Sequence, residues 1–132
     1  MQLKYRILFI FFFWAVLIYP QDSSKIMQNK TSGDAGLNYL TGVNSDNLGL
    51  RVSSTYYLGE MKSEEAVIPL MNILKSDTSA SARIMAALSL YKIGDARGIF
   101  AIKQAIQFDP NEQVKKMCSI LSQMHLENEK AK

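Results

Sequence analysis

Residues 50–77 read LRVSSTYYLGEMKSEEAVIPLMNILKSD and residues 82–109 read ARIMAALSLYKIGDARGIFAIKQAIQFD. Laid over one another with a shift of 32 positions, Leu50-Arg51, Leu58, Met61, Val67, Leu70, Leu74 and Asp77 fall on Ala82-Arg83, Leu90, Ile93, Ile99, Ile102, Ile106 and Asp109. Self-similarity at this period, across two helix-length segments, is the signature of stacked helical units that bury their apolar faces against one another. The expected fold is therefore all-α, a short α-α solenoid of about two and a half helical hairpins.

Each unit holds two helices. In the first half of the second copy Ala82, Met85, Ala86, Leu90 and Ile93 step by three or four, which keeps them on one side of a helix. Ser53 and Ser54 stand in the places of Met85 and Ala86, and small side chains at a seam let two helix axes approach. Gly94-Asp95 supplies a left-handed stop followed by a cap; the first copy has Lys62-Ser63 there, with Ser63 as cap and Glu64 and Glu65 in the positive first turn. Asp109-Pro110-Asn111 closes the second copy. Val114, Met117, Cys118, Leu121 and Met124 or His125 then give one more amphipathic helix, with a spacing shorter by about one residue. The units are placed at about 47–78, 79–110 and 111–126, and the polar tail 127–132 is expected to fray.

The pattern Leu50-Arg51 through Leu58-Gly59, then Ala66 through Leu70 to Leu74-Lys75-Ser76-Asp77, recurs with Ala82-Arg83, Gly94-Asp95-Ala96-Arg97, Ile99, Ile102 and Ile106. It resembles the HEAT repeat, in the short variety called PBS-lyase HEAT-like, over roughly residues 47–124. The resemblance implies an armadillo-like helical array whose inner, second helices line a concave face that grips a partner. It also raises the alternative of a tetrapyrrole (bilin) lyase or chaperone.

The amino terminus differs in kind. Lys4 and Arg6 precede an uncharged apolar run from Ile7 to Tyr19, stopped by Pro20. At about 1.5 Å per residue that run falls short of a hydrocarbon core of about 30 Å, so residues 1–20 read as a secretory signal, with an uncleaved membrane anchor as the alternative. Residues 21–46, rich in Ser, Asn, Gly, Asp and Thr, read as linker, within which Leu37, Leu40 and Val43 suit a short capping turn. The expected localisation is secreted or periplasmic, with membrane attachment only through residues 1–20.

Composition narrows the function. The sequence pI is about 9.0, yet without Lys4 and Arg6 the fifteen Lys and Arg fall to thirteen against twelve Asp and Glu. That balance gives no footing for nucleic-acid binding. Cys118 is the only cysteine and sits on an apolar helix side, which suits a buried small hydrophobe. His125 is the only histidine and has no partner set for a metal site or a triad. No catalytic residues, metal or cofactor are assigned.

What remains is surface. With Val67, Leu70 and Leu74 facing inward, Glu65, Ile68, Met71, Asn72 and Lys75 point roughly the other way, and the second unit presents Arg97, Phe100, Lys103, Gln104 and Gln107 at the matching places. Ile68, Met71, Asn72, Lys75, Phe100, Lys103, Gln104 and Gln107 are the expected partner-binding row, with Ile68 beside Phe100. Arg51, Arg83 and Lys115 recur near the starts of first helices, where the helix dipole disfavours a cation, so Asp77 and Asp109 are expected to pair with basic residues of the same or adjacent unit. The reading is an exported or membrane-tethered interaction module without chemistry of its own, binding another protein of unspecified identity. Self-association and a purely structural envelope tether stand as alternatives.

Overall fold

Helix ends in this chain follow turn chemistry closely. The computed structural model describes residues 34–132; the expected signal or anchor and the first part of the expected linker lie outside them. The described residues are α-helical, with no strand among them. Helix α1 comprises residues 34–42, α2 is Leu48–Glu60, a 3-10 turn at Glu64–Ala66 leads into α3 at Val67–Ser76, and α4 (Ala80–Ile93), α5 (Ala96–Phe108) and α6 (Glu112–Lys130) follow. The side chains of Asn47, Asp95 and Asn111 accept hydrogen bonds from the free N–H groups of Leu50, Arg97, and both Gln113 and Val114. Gly94 closes α4 at φ 77, and Lys62, the same position in the first copy, is held left-handed at φ 50. Ser63 makes no capping bond with its side chain: its backbone carbonyl accepts from Ala66 N–H at 3.2 Å, and the tighter turn replaces the expected cap.

Packing sets the helices in two rows. Helix α4 lies between α2 and α6, while α3 rests on α4 and α5, and α5 rests on α6 and α4. Ala82, Ala86, Ala87 and Leu90 of α4 are buried, and so are Arg83 and Ser89. The expected one-sided stripe is thus corrected: a helix with neighbours on several sides buries more than one face, and its alanines admit those neighbours closely. A Cβ added at Gly59 of α2 would stand 2.8 Å from the Ser89 Cα, so these backbones meet with no room for a methyl group. Across the same seam Ser89 Oγ donates to the Thr55 carbonyl at 2.8 Å. Leu58, Val67, Leu70, Leu74, Ile99 and Ile102 complete the buried centre, joined by Ile73, which the repeat alignment passes over.

The ends of the row depart furthest from expectation. Residues 34–42, placed in the linker with at most a turn, form a helix: Tyr39 stacks on Tyr57 with ring centroids 4.9 Å apart, and Val43 joins the core. Leu50 is 50% exposed although Ala82 and Val114, its counterparts, are buried; among the described residues α2 has no full-length first helix of a preceding unit against it. Met61 lies just past the end of α2 and is also exposed. In α6, Val114, Cys118 and Leu121 are buried at the places of Ala82, Ala86 and Ser89, so the shift of 32 persists on the inward face and the expected shortening does not occur there. The helix continues through most of the expected tail to Lys130, and Asn128 donates to the Tyr91 hydroxyl at 3.0 Å.

Candidate functional site

Burial of one side of α3 and α5 determines what the other side offers. In α3 Val67, Leu70, Ile73 and Leu74 turn inward, leaving Ile68, Asn72 and Lys75 exposed and Met71 half-buried. In α5 Gly98, Ile99, Ile102 and Ala105 turn inward, leaving Phe100, Lys103, Gln104 and Gln107 exposed. Between the two helices runs a groove of about 570 Å³, walled by Met71, Asn72 and Lys75 on one side and Phe100, Gln104 and Phe108 on the other. Leu74, Ala101 and Ala105 also line it. It brings together five of the eight expected partner-binding residues; Ile68, Lys103 and Gln107 do not line it. Lys103 and Gln107 each precede a lining residue by one position, which places them about 100° round the helix.

Phe108 was not among the expected residues, yet at 73% exposed it is barer than Phe100 at 61%. The signal for it is present in the sequence, since Phe100, Gln104 and Phe108 succeed one another at intervals of four and so share one helix face. Two bare phenylalanines on one wall leave apolar surface open to solvent. The wall charge is cationic. Lys75 and Lys103 form no ion pair among the described residues, whereas Lys92, Lys115 and Lys132 pair with Glu60, Glu112 and Glu129. The carboxylate at the groove's end, Asp109, is occupied, accepting from Arg83 Nε at 2.8 Å, Arg83 Nη2 at 3.0 Å and the Asn111 N–H at 2.8 Å.

Along the edge where first helices begin, arginines tie loops together. Arg51 grips Asp77 through Nε at 2.8 Å and Nη2 at 3.2 Å, and its Nη1 donates to the carbonyls of Ser45 and Asp46. Arg83 repeats this one unit on, gripping Asp109 while its Nη1 donates to the Asp77 carbonyl at 2.7 Å. Each guanidinium thus holds the loop before its own helix to the loop after the next, in the fork geometry that suits a carboxylate. Burial alone would push the Asp77 carboxyl up, but hydrogen bonds from Arg51 and the Ser79 N–H, with the charges of Arg51 and Arg83, hold it below the usual carboxylate range. Lys115 takes no part in this chain of contacts; it pairs with Glu112 on its own helix at 3.0 Å.

A second cavity, of about 760 Å³, opens where α2, α4 and α6 end, among Lys62, Tyr91, Lys92, Gly94, His125 and Asn128. Two of its charged walls are neutralised from within, Lys92 by Glu60 and Lys132 by Glu129. Cys118 is buried, and desolvation followed by the nearby Asp109 charge pushes its thiol up to about 11, far from a reactive thiolate at neutral pH. No group of three or more His, Cys, Asp and Glu converges among the described residues. Comparison with protein-family models and with curated proteins finds no match to this chain.

Proposed function

We propose that the chain is a short α-solenoid of HEAT-like hairpins that works as a non-catalytic protein-docking module, its partner seated along α3 and α5. The observation that carries this reading is the groove in which Phe100 and Phe108 stand bare beside Met71 and Lys75, a cation unpaired among the described residues. Repetition at 32 residues, with the arginine grip repeated at the same interval, supports the solenoid. The apolar run Ile7 to Tyr19 behind Lys4 and Arg6 supports export, or tethering of the module to a membrane.

The test is photocrosslinking of the full chain in its own cell envelope, with benzoylphenylalanine in place of Phe100 and, as control, in place of Tyr56. One discrete adduct at the Phe100 position, lost on Lys75→Glu, supports docking. Adducts equal at both positions, or none at either, sink it and favour a structural tether. Release of a shortened chain into the exported fraction reports cleavage of the amino-terminal segment, and retention in the membrane fraction reports an anchor.

A further inference from the structure

Resting on the docking role, we propose that the occupant of the α3/α5 groove is an acidic peptide segment of a partner protein, bearing bulky apolar anchors spaced to meet Phe100 and Phe108. The two phenylalanines lie eight residues apart on α5, about 12 Å along its axis at about 1.5 Å per residue. An extended partner covers that span in about four residues and a helical one in about eight. Apolar side chains at i, i+4 and i+8 therefore satisfy either geometry. Both phenylalanines are more than half exposed, and Met71 between the helices gives an adaptable apolar surface for the anchors to press on.

The charge of the occupant is set by which groups are already engaged. Lys75 lines the groove and has no ion-pair partner among the described residues. The carboxylate bordering the groove is closed off by Arg83, and Asn72 and Gln104 are neutral. A basic segment would meet like charge with nothing to neutralise it, whereas an acidic one answers Lys75. The charge is also graded. Glu64 and Glu65 precede α3 at its far end, about three turns from Lys75, so the segment's carboxylates lie toward the end where Phe108 and Pro110 stand.

Fluorescence anisotropy with the full chain and three labelled synthetic peptides tests this: leucine at i, i+4 and i+8 with glutamate between, the same peptide with lysine for glutamate, and the glutamate peptide with serine for leucine. The glutamate-leucine peptide is expected to bind. Lys75→Glu should weaken it roughly fivefold, the upper end for an exposed ion pair, and transfer preference to the lysine peptide. Raising salt from about 50 to about 500 mM should weaken it further by screening the exposed charges. Phe100→Ala with Phe108→Ala, both surface positions, should abolish saturable binding while leaving the helical circular dichroism intact. Equal or tighter binding of the lysine peptide, equal binding of the serine peptide, indifference to Lys75→Glu, or no binding by any peptide overturns the proposal. A discrete Phe100 crosslink to a partner without an acidic segment would leave docking standing while this inference falls.

Discussion

Adding one methyl group at Gly59 probes the contact between the backbones of α2 and α4. A Cβ built there stands 2.6 Å from Ser89 Oγ, 2.7 Å from Ser89 Cβ and 2.8 Å from Ser89 Cα. Carbon atoms pack best at about 3.5–4.0 Å, so α2 and α4 must separate by a substantial fraction of an ångström, and no rotamer change relieves a clash with a Cα. Overpacking of this kind costs about 1–3 kcal/mol, and losing the Ser89 to Thr55 hydrogen bond adds about 1 kcal/mol. Replacing a helical glycine with alanine returns about 1 kcal/mol. Gly59→Ala should therefore lose about 1–3 kcal/mol, which at about 4–8 °C per kcal/mol is a plain drop in melting temperature by circular dichroism. Gly36→Ala is the control: it lies in α1, where the nearest atom to the added Cβ is Met61 Cε at 3.7 Å, an ordinary contact, and it should hold or raise the melting temperature. A Gly59→Ala protein that melts with its parent would show that α2 and α4 do not meet backbone to backbone.

Three further outcomes are expected from the same structure. Arg83→Met strands the buried Asp109 and should cost about 3–5 kcal/mol in urea unfolding, with Arg83→Met/Asp109→Asn recovering part of it; a loss under about 1 kcal/mol would contradict the pairing. Because the Asp77 carboxyl is held below its ordinary value, its contribution to stability is full above the unfolded value of about 3.9 and is lost as pH falls through the folded one. Arg51→Met should accordingly flatten the decline of stability below about pH 4, and identical acid profiles would count against this grip. Lys62→Gly, which removes a side chain from left-handed backbone, should gain about 0.5–1 kcal/mol, and destabilisation would imply that the lysine makes a contact worth more than the relief.

Much of the helix order is legible because large apolar residues keep time: Val67, Leu70, Leu74, Ile99 and Ile102 are buried where their spacing places them. Small residues carry no such signal. Ala87 and Ser89 give little hydrophobic contrast, yet they let α4 be enclosed on several sides, and only the three-dimensional neighbours reveal it. Residues 34–42 are rich in turn formers, and Tyr39, Leu40 and Val43 gain their order by docking onto α2 and the core beside it, which no local propensity records. In the groove, the outward side of α3 and α5 is given once their inward sides are known. Phe108 is harder to see because it abuts Asp109-Pro110, where its position groups it with the loop rather than with Phe100 and Gln104.

The repeated arginine grip has a corollary. At one margin of the array Arg51 and Arg83 lace consecutive loops into a seam with little solvent access, while at the opposite margin Lys92 and Glu60 make an exposed bridge between α2 and α4. Ions in solution reach the exposed bridge and not the laced seam. Raising the ionic strength should therefore loosen the Lys92–Glu60 bridge while leaving the Arg51–Asp77 and Arg83–Asp109 grips closed.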